Sequence, residues 1–156
     1  MSQCPIDPKV LVTEAVKKFG TKREALLAVL QYVYSKEHKL SKEVMQHIAA
    51  AFDLSSADVY GTASFYSFLE IEEKGQNIIR LCKTISCDLK GKQKIVSAIE
   101  NKLKIKLGET TPDKKFSFLE TNCLGWCHKG PSMLINDKVY TDLTPEKAVQ
   151  AIDENL

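Results

Sequence analysis

The stretch that decides the fold is Ile78–Lys90, IIRLCKTISCDLK, answered by Glu120–Asp137, ETNCLGWCHKGPSMLIND. Ile78, Ile79, Arg80 and Leu81 form a short apolar run of the kind that marks a buried strand, and Cys82 closes it. Phe116, Phe118 and Leu119 mark a second strand, which ends just before Cys123. Between them the segment from Lys90 to Leu103 reads as amphipathic, with Ile95, Ala98, Ile99 and Leu103 on one helical face. A right-handed β-α-β crossover makes two such strands parallel and usually adjacent. The pairs Cys82-x4-Cys87 and Cys123-x3-Cys127 therefore leave the same, carboxyl, end of one sheet. Four thiolates can then reach a single metal site.

Thiolates are soft ligands that select iron–sulfur clusters, zinc or copper. Zinc ribbons usually space their cysteines two residues apart, because that tight turn aims backbone N–H groups at the sulfurs. Gaps of four and three residues are looser and suit a larger object, such as two irons bridged by sulfides. The spacing favours a cluster and leaves a single zinc ion open.

Working outward, Met133-Leu134-Ile135 and Val139-Tyr140 flank the turn signal Asn136-Asp137, and Thr144-Pro145-Glu146 opens a last helix carrying Ala148, Val149 and Ile152. The β-α-β-β-α order is that of a thioredoxin-like domain. Upstream the pattern is helical. Asp7-Pro8 starts a helix with Val12, Ala15, Val16 and Phe19 on one face and Gly20 at its end. Thr21-Lys22-Arg23-Glu24 has the form of a capping box ahead of Leu26, Leu27, Leu30, Val33 and Tyr34. Ser41 precedes a third helix with Val44, Ile48, Ala51 and Phe52 inward. Ser55 to Asp58 start a fourth, carrying Tyr60, Phe65, Tyr66 and Phe68, read as core between the two halves of the chain rather than as a cofactor box. The expected fold class is α+β: an N-terminal helical bundle over residues 1–74, then a thioredoxin-like α/β domain over 75–156.

Composition bounds the rest. The chain has 156 residues, 44% hydrophobic, and its 22 Lys plus Arg against 20 Asp plus Glu leave a formal net charge of +2, which implies no steering toward nucleic acid. No run approaches the roughly 18 apolar residues of a membrane span, and MSQCPIDPKV lacks the basic and apolar regions of a signal peptide. A cytoplasmic protein without direct membrane insertion is expected. There glutathione keeps thiols reduced, which argues against disulfides among the five cysteines and leaves Cys4 a free thiol.

LCKTISCDLKGK, ETNCLGWCHKGPSMLIND and, upstream, VYGTASFYSFL resemble the thioredoxin-like [2Fe–2S] ferredoxin subunit of NADH-linked complexes. That family includes the E subunit of bacterial NADH-quinone oxidoreductase, the gamma subunit of NAD-dependent formate dehydrogenases, and the small subunit of NAD-linked or electron-bifurcating hydrogenases. The resemblance runs from about residue 10 to the end and makes Cys82, Cys87, Cys123 and Cys127 the ligands of one [2Fe–2S] cluster. It implies an electron-transfer subunit that exchanges single electrons with flavin mononucleotide (FMN) on an NAD(H)-binding partner, onto which the helical region docks. FMN and NAD belong to that partner, not to this chain, and a further iron–sulfur, hydrogenase or dehydrogenase subunit completes the assembly. A soluble NAD-linked hydrogenase or a complex I type NADH dehydrogenase is the leading assembly, peripheral to the cytoplasmic membrane face in the second case, with a formate dehydrogenase as the alternative. Two residues depart from the family pattern. Trp126 stands before the last cysteine, where a small residue is common, and Gly130 stands where alanine is frequent.

No catalytic set is visible: there is no Gly-rich phosphate loop, no Ser-His-Asp arrangement and no paired acid and base, so no turnover is expected from the isolated chain. From another class, the same cysteines in a structural zinc module remain an alternative. A thiol–disulfide enzyme is disfavoured because no Cys-x-x-Cys follows the first strand. Four thiolates and two sulfides against two ferric ions leave roughly −2 on an oxidised cluster and about −3 after reduction, so donors must surround the sulfurs. The Thr84 and Ser86 hydroxyls and the backbone N–H groups of Leu124-Gly125 are the candidates. Lys83 and Lys129 lie beside ligands, against a plain reading as solvated surface charge. His128 invites a Rieske-like reading, which needs a second histidine that His38 and His47, on predicted helices, do not supply. Trp126 reads equally as a shield and as packing. Pro131 occupies a place where thioredoxin-like folds often hold a cis proline, and the sequence leaves its isomer open.

Overall fold

The computed structural model of the protein describes residues 7–156, so Cys4 lies outside the described residues. The chain divides into two compact units, one ending at Glu73 and the other running Lys74–Leu156.

The first unit is helical, and each helix has a visible cause. Helix α1 (Pro8–Phe19) is capped by the Asp7 carboxylate, which accepts from the Lys9 N–H at 2.9 Å, with Pro8 pre-set for the first turn. Gly20, at φ 87°, ends it. Helices α2 (Leu26–Glu37), α3 (Lys42–Phe52) and α4 (Ser56–Phe65) follow. Ser41 accepts from the Val44 N–H at 3.2 Å, and Ser55 both accepts from the Asp58 N–H at 3.1 Å and donates to the Asp58 carboxylate at 2.6 Å. Leu11, Val12, Ala15, Val29, Leu30, Val33, Val44, Ile48, Val59 and Ala63 make a core belonging to this unit alone.

Three features of this unit differ from expectation. Thr21–Glu24 forms no capping box. Lys22 occupies the N-cap position without a side-chain bond, and a 3-10 turn over Arg23–Ala25 leads into α2. Phe19 is not inward: it is 38% exposed and meets Tyr32 edge-on at 5.9 Å, with the Lys18 ammonium over both rings, while Leu11 takes the buried place. Nor do Tyr60, Phe65, Tyr66 and Phe68 form a core. All four are exposed, Phe65 by 80%. Apolar and polar residues are interspersed around helix α4 with no single apolar face, so the pattern could not say which side faces in. The side chosen is the small one, Val59 and Ala63, which lets α4 approach α3 and α2 closely.

The second unit has a four-stranded sheet in the order β2-β1-β3-β4. Strand β1 (Asn77–Cys82) is central, parallel to β2 (Phe116–Thr121) and antiparallel to β3 (Met133–Ile135), which pairs antiparallel with β4 (Lys138–Tyr140). The Asn136 side chain fixes the β3–β4 turn: its Oδ1 accepts from the Ile78 N–H at 2.8 Å and its amide donates to Asn77 at 2.9 Å. The crossover contains α5 (Ile85–Leu89) and α6 (Lys92–Leu103), and α7 (Pro145–Asp153) packs against α6. Alternate positions of the strands, Ile79 and Leu81, Phe116 and Phe118, Met133 and Ile135, share a core with Ile95, Ile99, Ala148 and Ile152. Each of the larger side chains among them contributes about 1.5–3 kcal/mol of burial. Helix α5 was not expected. Its five residues bury only Cys87, too little to leave a periodic signal.

Candidate metal centre

Cys82 is the last residue of β1 and pairs in register with Thr121, the last of β2. Both thiol-bearing loops thus begin at one sheet edge. From Cys82 the chain turns into α5, where the Cys87 N–H donates to the Thr84 carbonyl at 3.0 Å and carries its thiol inward. From Thr121 it runs through Cys123 and Gly125, whose φ of 85° suits a residue without a Cβ, to a 3-10 turn over Cys127–Lys129. Bonds from the Asp142 N–H to the Lys129 carbonyl (2.7 Å) and from the Leu143 N–H to the Pro131 carbonyl (3.2 Å) pin this second loop from below. The Gly130–Pro131 peptide is cis.

Cys82 and Cys87 are buried, at 1% and 0% exposure, while Cys123 and Cys127 are exposed with their sulfurs 3.2 Å apart. The pairs are neighbours. Cys87 and the Leu124 N–H both bear on the Cys82 thiol, and both buried thiols act electrostatically on Cys127. Burial pushes the Cys82 thiol up, but the hydroxyl and N–H of Thr84, with Cys87 and the Leu124 N–H, outweigh it and hold the thiol below its usual range. Cys127 moves the other way, raised first by its hydrogen bond with Cys123 and then by the charges of the other cysteines. A set of thiolates this close repel one another, and a metal cation relieves that repulsion.

The expected donors fall into place unevenly. Thr84 Oγ1 lies 3.1 Å from Cys82 Sγ, and the Gly125 N–H donates to Cys123 Sγ at 3.4 Å. The other hydroxyl beside a thiol is that of Ser132, in weak contact with Cys87 Sγ at 4.0 Å, where Ser86 was expected. Lys83 and Lys129 are exposed, the latter with its ammonium 5.9 Å from the Trp126 ring. Trp126 in turn stacks on His128, centroids 5.7 Å apart, so that ring lies against tryptophan. His38 and His47 belong to the helical unit. Sequence reasoning missed Lys90, whose Nζ donates to the Cys127 and His128 carbonyls at 3.2 and 3.3 Å. A contact across 37 residues leaves no local signal.

A thiolate-bound cluster fits this donor set. The four side chains at the ends of these loops are thiols, the Gly125 N–H points at one of them, and Gly130 leaves room: a Cβ there would stand 3.2 Å from Cys87 Sγ and 3.6 Å from the Cys127 carbonyl oxygen. Among the described residues no three His, Cys, Asp or Glu side chains close around a single ion.

Comparison with known proteins agrees with this chemistry. The family model for thioredoxin-like [2Fe-2S] ferredoxins matches residues 12–155. The NADH-quinone oxidoreductase E subunit of Buchnera aphidicola subsp. Acyrthosiphon pisum (strain APS) is 42% identical over 124 residues, covering 80% of this chain and 76% of that one. Its counterpart of the same name in Escherichia coli (strain K12) is 36% identical over 131 residues, covering 84% and 79%. A crystal structure of an NAD+-reducing [NiFe]-hydrogenase in the air-oxidized state superposes with a TM-score of 0.74 at 22% identity, which speaks for the fold; the match spans 83% of this chain and 22% of the hydrogenase chain. The chain belongs to the thioredoxin-like [2Fe–2S] ferredoxin family.

Proposed function

We propose that Cys82, Cys87, Cys123 and Cys127 ligate the [2Fe–2S] cluster of this chain, and that the chain passes single electrons to or from a flavin on a separate NAD(H)-binding subunit. The observation that carries the reading is the gathering of both thiol pairs at the carboxyl edge of β1 and β2. A [2Fe–2S] group, when bound, takes up and releases one electron at a time. The residues of the chain prepare its seat. Thr84 and the Leu124 and Gly125 N–H groups favour thiolates, and buried Cys82 and Cys87 keep one side of the site away from water while Cys123 and Cys127 leave the other near the surface.

The chain has no nucleotide-binding loop, so hydride chemistry belongs to another polypeptide. A flavin divides the two electrons of a hydride, which gives a one-electron carrier beside it a use. Relatives named as subunits of NADH-quinone oxidoreductases support that partnership. No described helix is long and apolar enough to cross a membrane. The reading puts the chain in the reducing cytoplasm, where thiols stay available as ligands.

The test is a reduction experiment with NADH, followed by paramagnetic resonance, with and without the flavoprotein. NADH should leave the isolated chain oxidised and should reduce it once the partner is added. Reduction of the isolated chain by NADH contradicts the division of labour.

A further inference from the structure

Lys90 follows α5 directly, three residues after Cys87. Its aliphatic stem passes over Gly130, where a Cβ would meet Lys90 Cδ at 3.7 Å, and its ammonium reaches the carbonyls of Cys127 and His128 at 3.2 and 3.3 Å. Those two carbonyls sit in the short 3-10 turn that carries Cys127. So short a helical turn leaves its last carbonyls without partners from within, and a cation there is favourable for the reason that makes Lys common at helix C-termini. Here the cation comes from the other loop. One side chain thus ties the Cys82-x4-Cys87 loop to the Cys123-x3-Cys127 loop.

We propose that Lys90 is a positioning residue of the metal centre: it clamps the Cys127 turn against the Cys87 loop and holds a positive charge there that favours the reduced cluster. The proposal rests on the assignment of the four cysteines as ligands. Reduction adds one negative charge, so a cation fixed by two carbonyl bonds stabilises the reduced state more than one free to swing into water. Lys83 and Lys129 are nearer the ligands in sequence, but Lys129 turns toward the Trp126 ring. Lys90, carried by the first loop, is bonded to the backbone of the second.

The test is a potentiometric titration of the full-length protein, read by paramagnetic resonance, on wild type, Lys90→Met, Lys90→Arg and Lys94→Met. Iron and acid-labile sulfide are assayed on each. Lys90→Met should keep its iron and become harder to reduce. At a fixed potential its reduced-to-oxidised ratio should fall about tenfold, a shift of about 59 mV for one electron. Lys90→Arg keeps both the charge and the donors and should stay within about threefold of wild type, as should Lys94→Met, which makes the same charge change on the exposed side of α6. Should Lys90→Met lose iron, Lys90→Gln, which retains a donor without the charge, reads the same quantity. An unmoved midpoint in the Met or Gln variant with normal iron, or an equal shift in Lys94→Met, overturns the proposal alone. A wild-type protein without iron or sulfide overturns the ligand assignment and this proposal with it.

Discussion

Cys82 and Thr121 face each other across the last rung of the parallel β1–β2 ladder, and the Lys83 N–H donates to the Thr121 carbonyl at 2.9 Å just beyond it. Two loops that start level with each other need only short excursions to meet. Cys123 lies two residues past Thr121, and Cys87 five past Cys82. The strand register therefore does much of the work of assembling the site before any metal enters.

If that register sets the site, each thiol matters and the fifth cysteine does not. Replacing Cys82, Cys87, Cys123 or Cys127 by Ser should lower iron retention by at least about tenfold, the lower range for disturbing even an outer partner of a metal. Cys4→Ser should leave iron content and the reduced-state resonance signal unchanged. A normal cluster in Cys82→Ser or Cys127→Ser would remove the assignment.

Lys92 opens α6 with its side chain 9% exposed, 3.0 Å from Glu120 in β2 and 3.8 Å from Asp88 in α5. Lys92→Met keeps the volume and strands the Glu120 charge. Breaking a fully buried pair costs about 3–5 kcal/mol; with Glu120 31% exposed, a loss of about 1–2 kcal/mol is expected. The check is a lower denaturant midpoint at unchanged slope. An unmoved midpoint would show the pair to be idle.

Gly75 enters β1 against the backbone of β2, donating its N–H to Ser117 Oγ at 2.7 Å. A Cβ there would stand 2.6 Å from the Phe116 carbonyl carbon and 2.9 Å from its Cα. Backbone cannot step aside cheaply, so Gly75→Ala should cost about 2–3 kcal/mol. Gly61, within α4, meets nothing within 4 Å, and Gly61→Ala should instead stabilise by about 0.5–1 kcal/mol. Thermal melts of the two variants should move in opposite directions, and movement in the same direction contradicts the packing described.

Glu100 accepts from Lys106 Nζ at 3.0 Å and from the Leu107 N–H at 3.2 Å, and these bonds hold its carboxyl below the ordinary 4.5. A group whose folded pKa is lowered stabilises the fold above its unfolded value, and that contribution is lost as pH falls through the folded one. Stability should therefore decline below about pH 4.5, and Glu100→Gln should make the decline shallower. Parallel acid limbs for the two proteins would exclude this role.

The β-α-β unit was legible because Ile78–Leu81 is apolar almost without interruption and Phe116 and Phe118 alternate, patterns that a buried sheet imposes residue by residue. The thiol pairs were legible for the same reason: once the strands are parallel, the loop ends follow. Helix α5 was not, since Ile85 and Leu89 point to solvent and only Cys87 turns in. The aromatics of α4 misled because large apolar side chains normally mark the buried side, whereas here Ala63 and Val59 do. Lys90 and Ser132 act on the cysteine loops across 37 and 45 residues, distances at which a single sequence carries no pattern.

The most direct test of cluster ligation by this chain is the composition and spin count of the purified full-length protein after reduction with dithionite. The expected result is a brown protein with equimolar iron and acid-labile sulfide, and a resonance signal equal to about one unpaired electron per two irons. A colourless protein holding one zinc and silent after dithionite would contradict it.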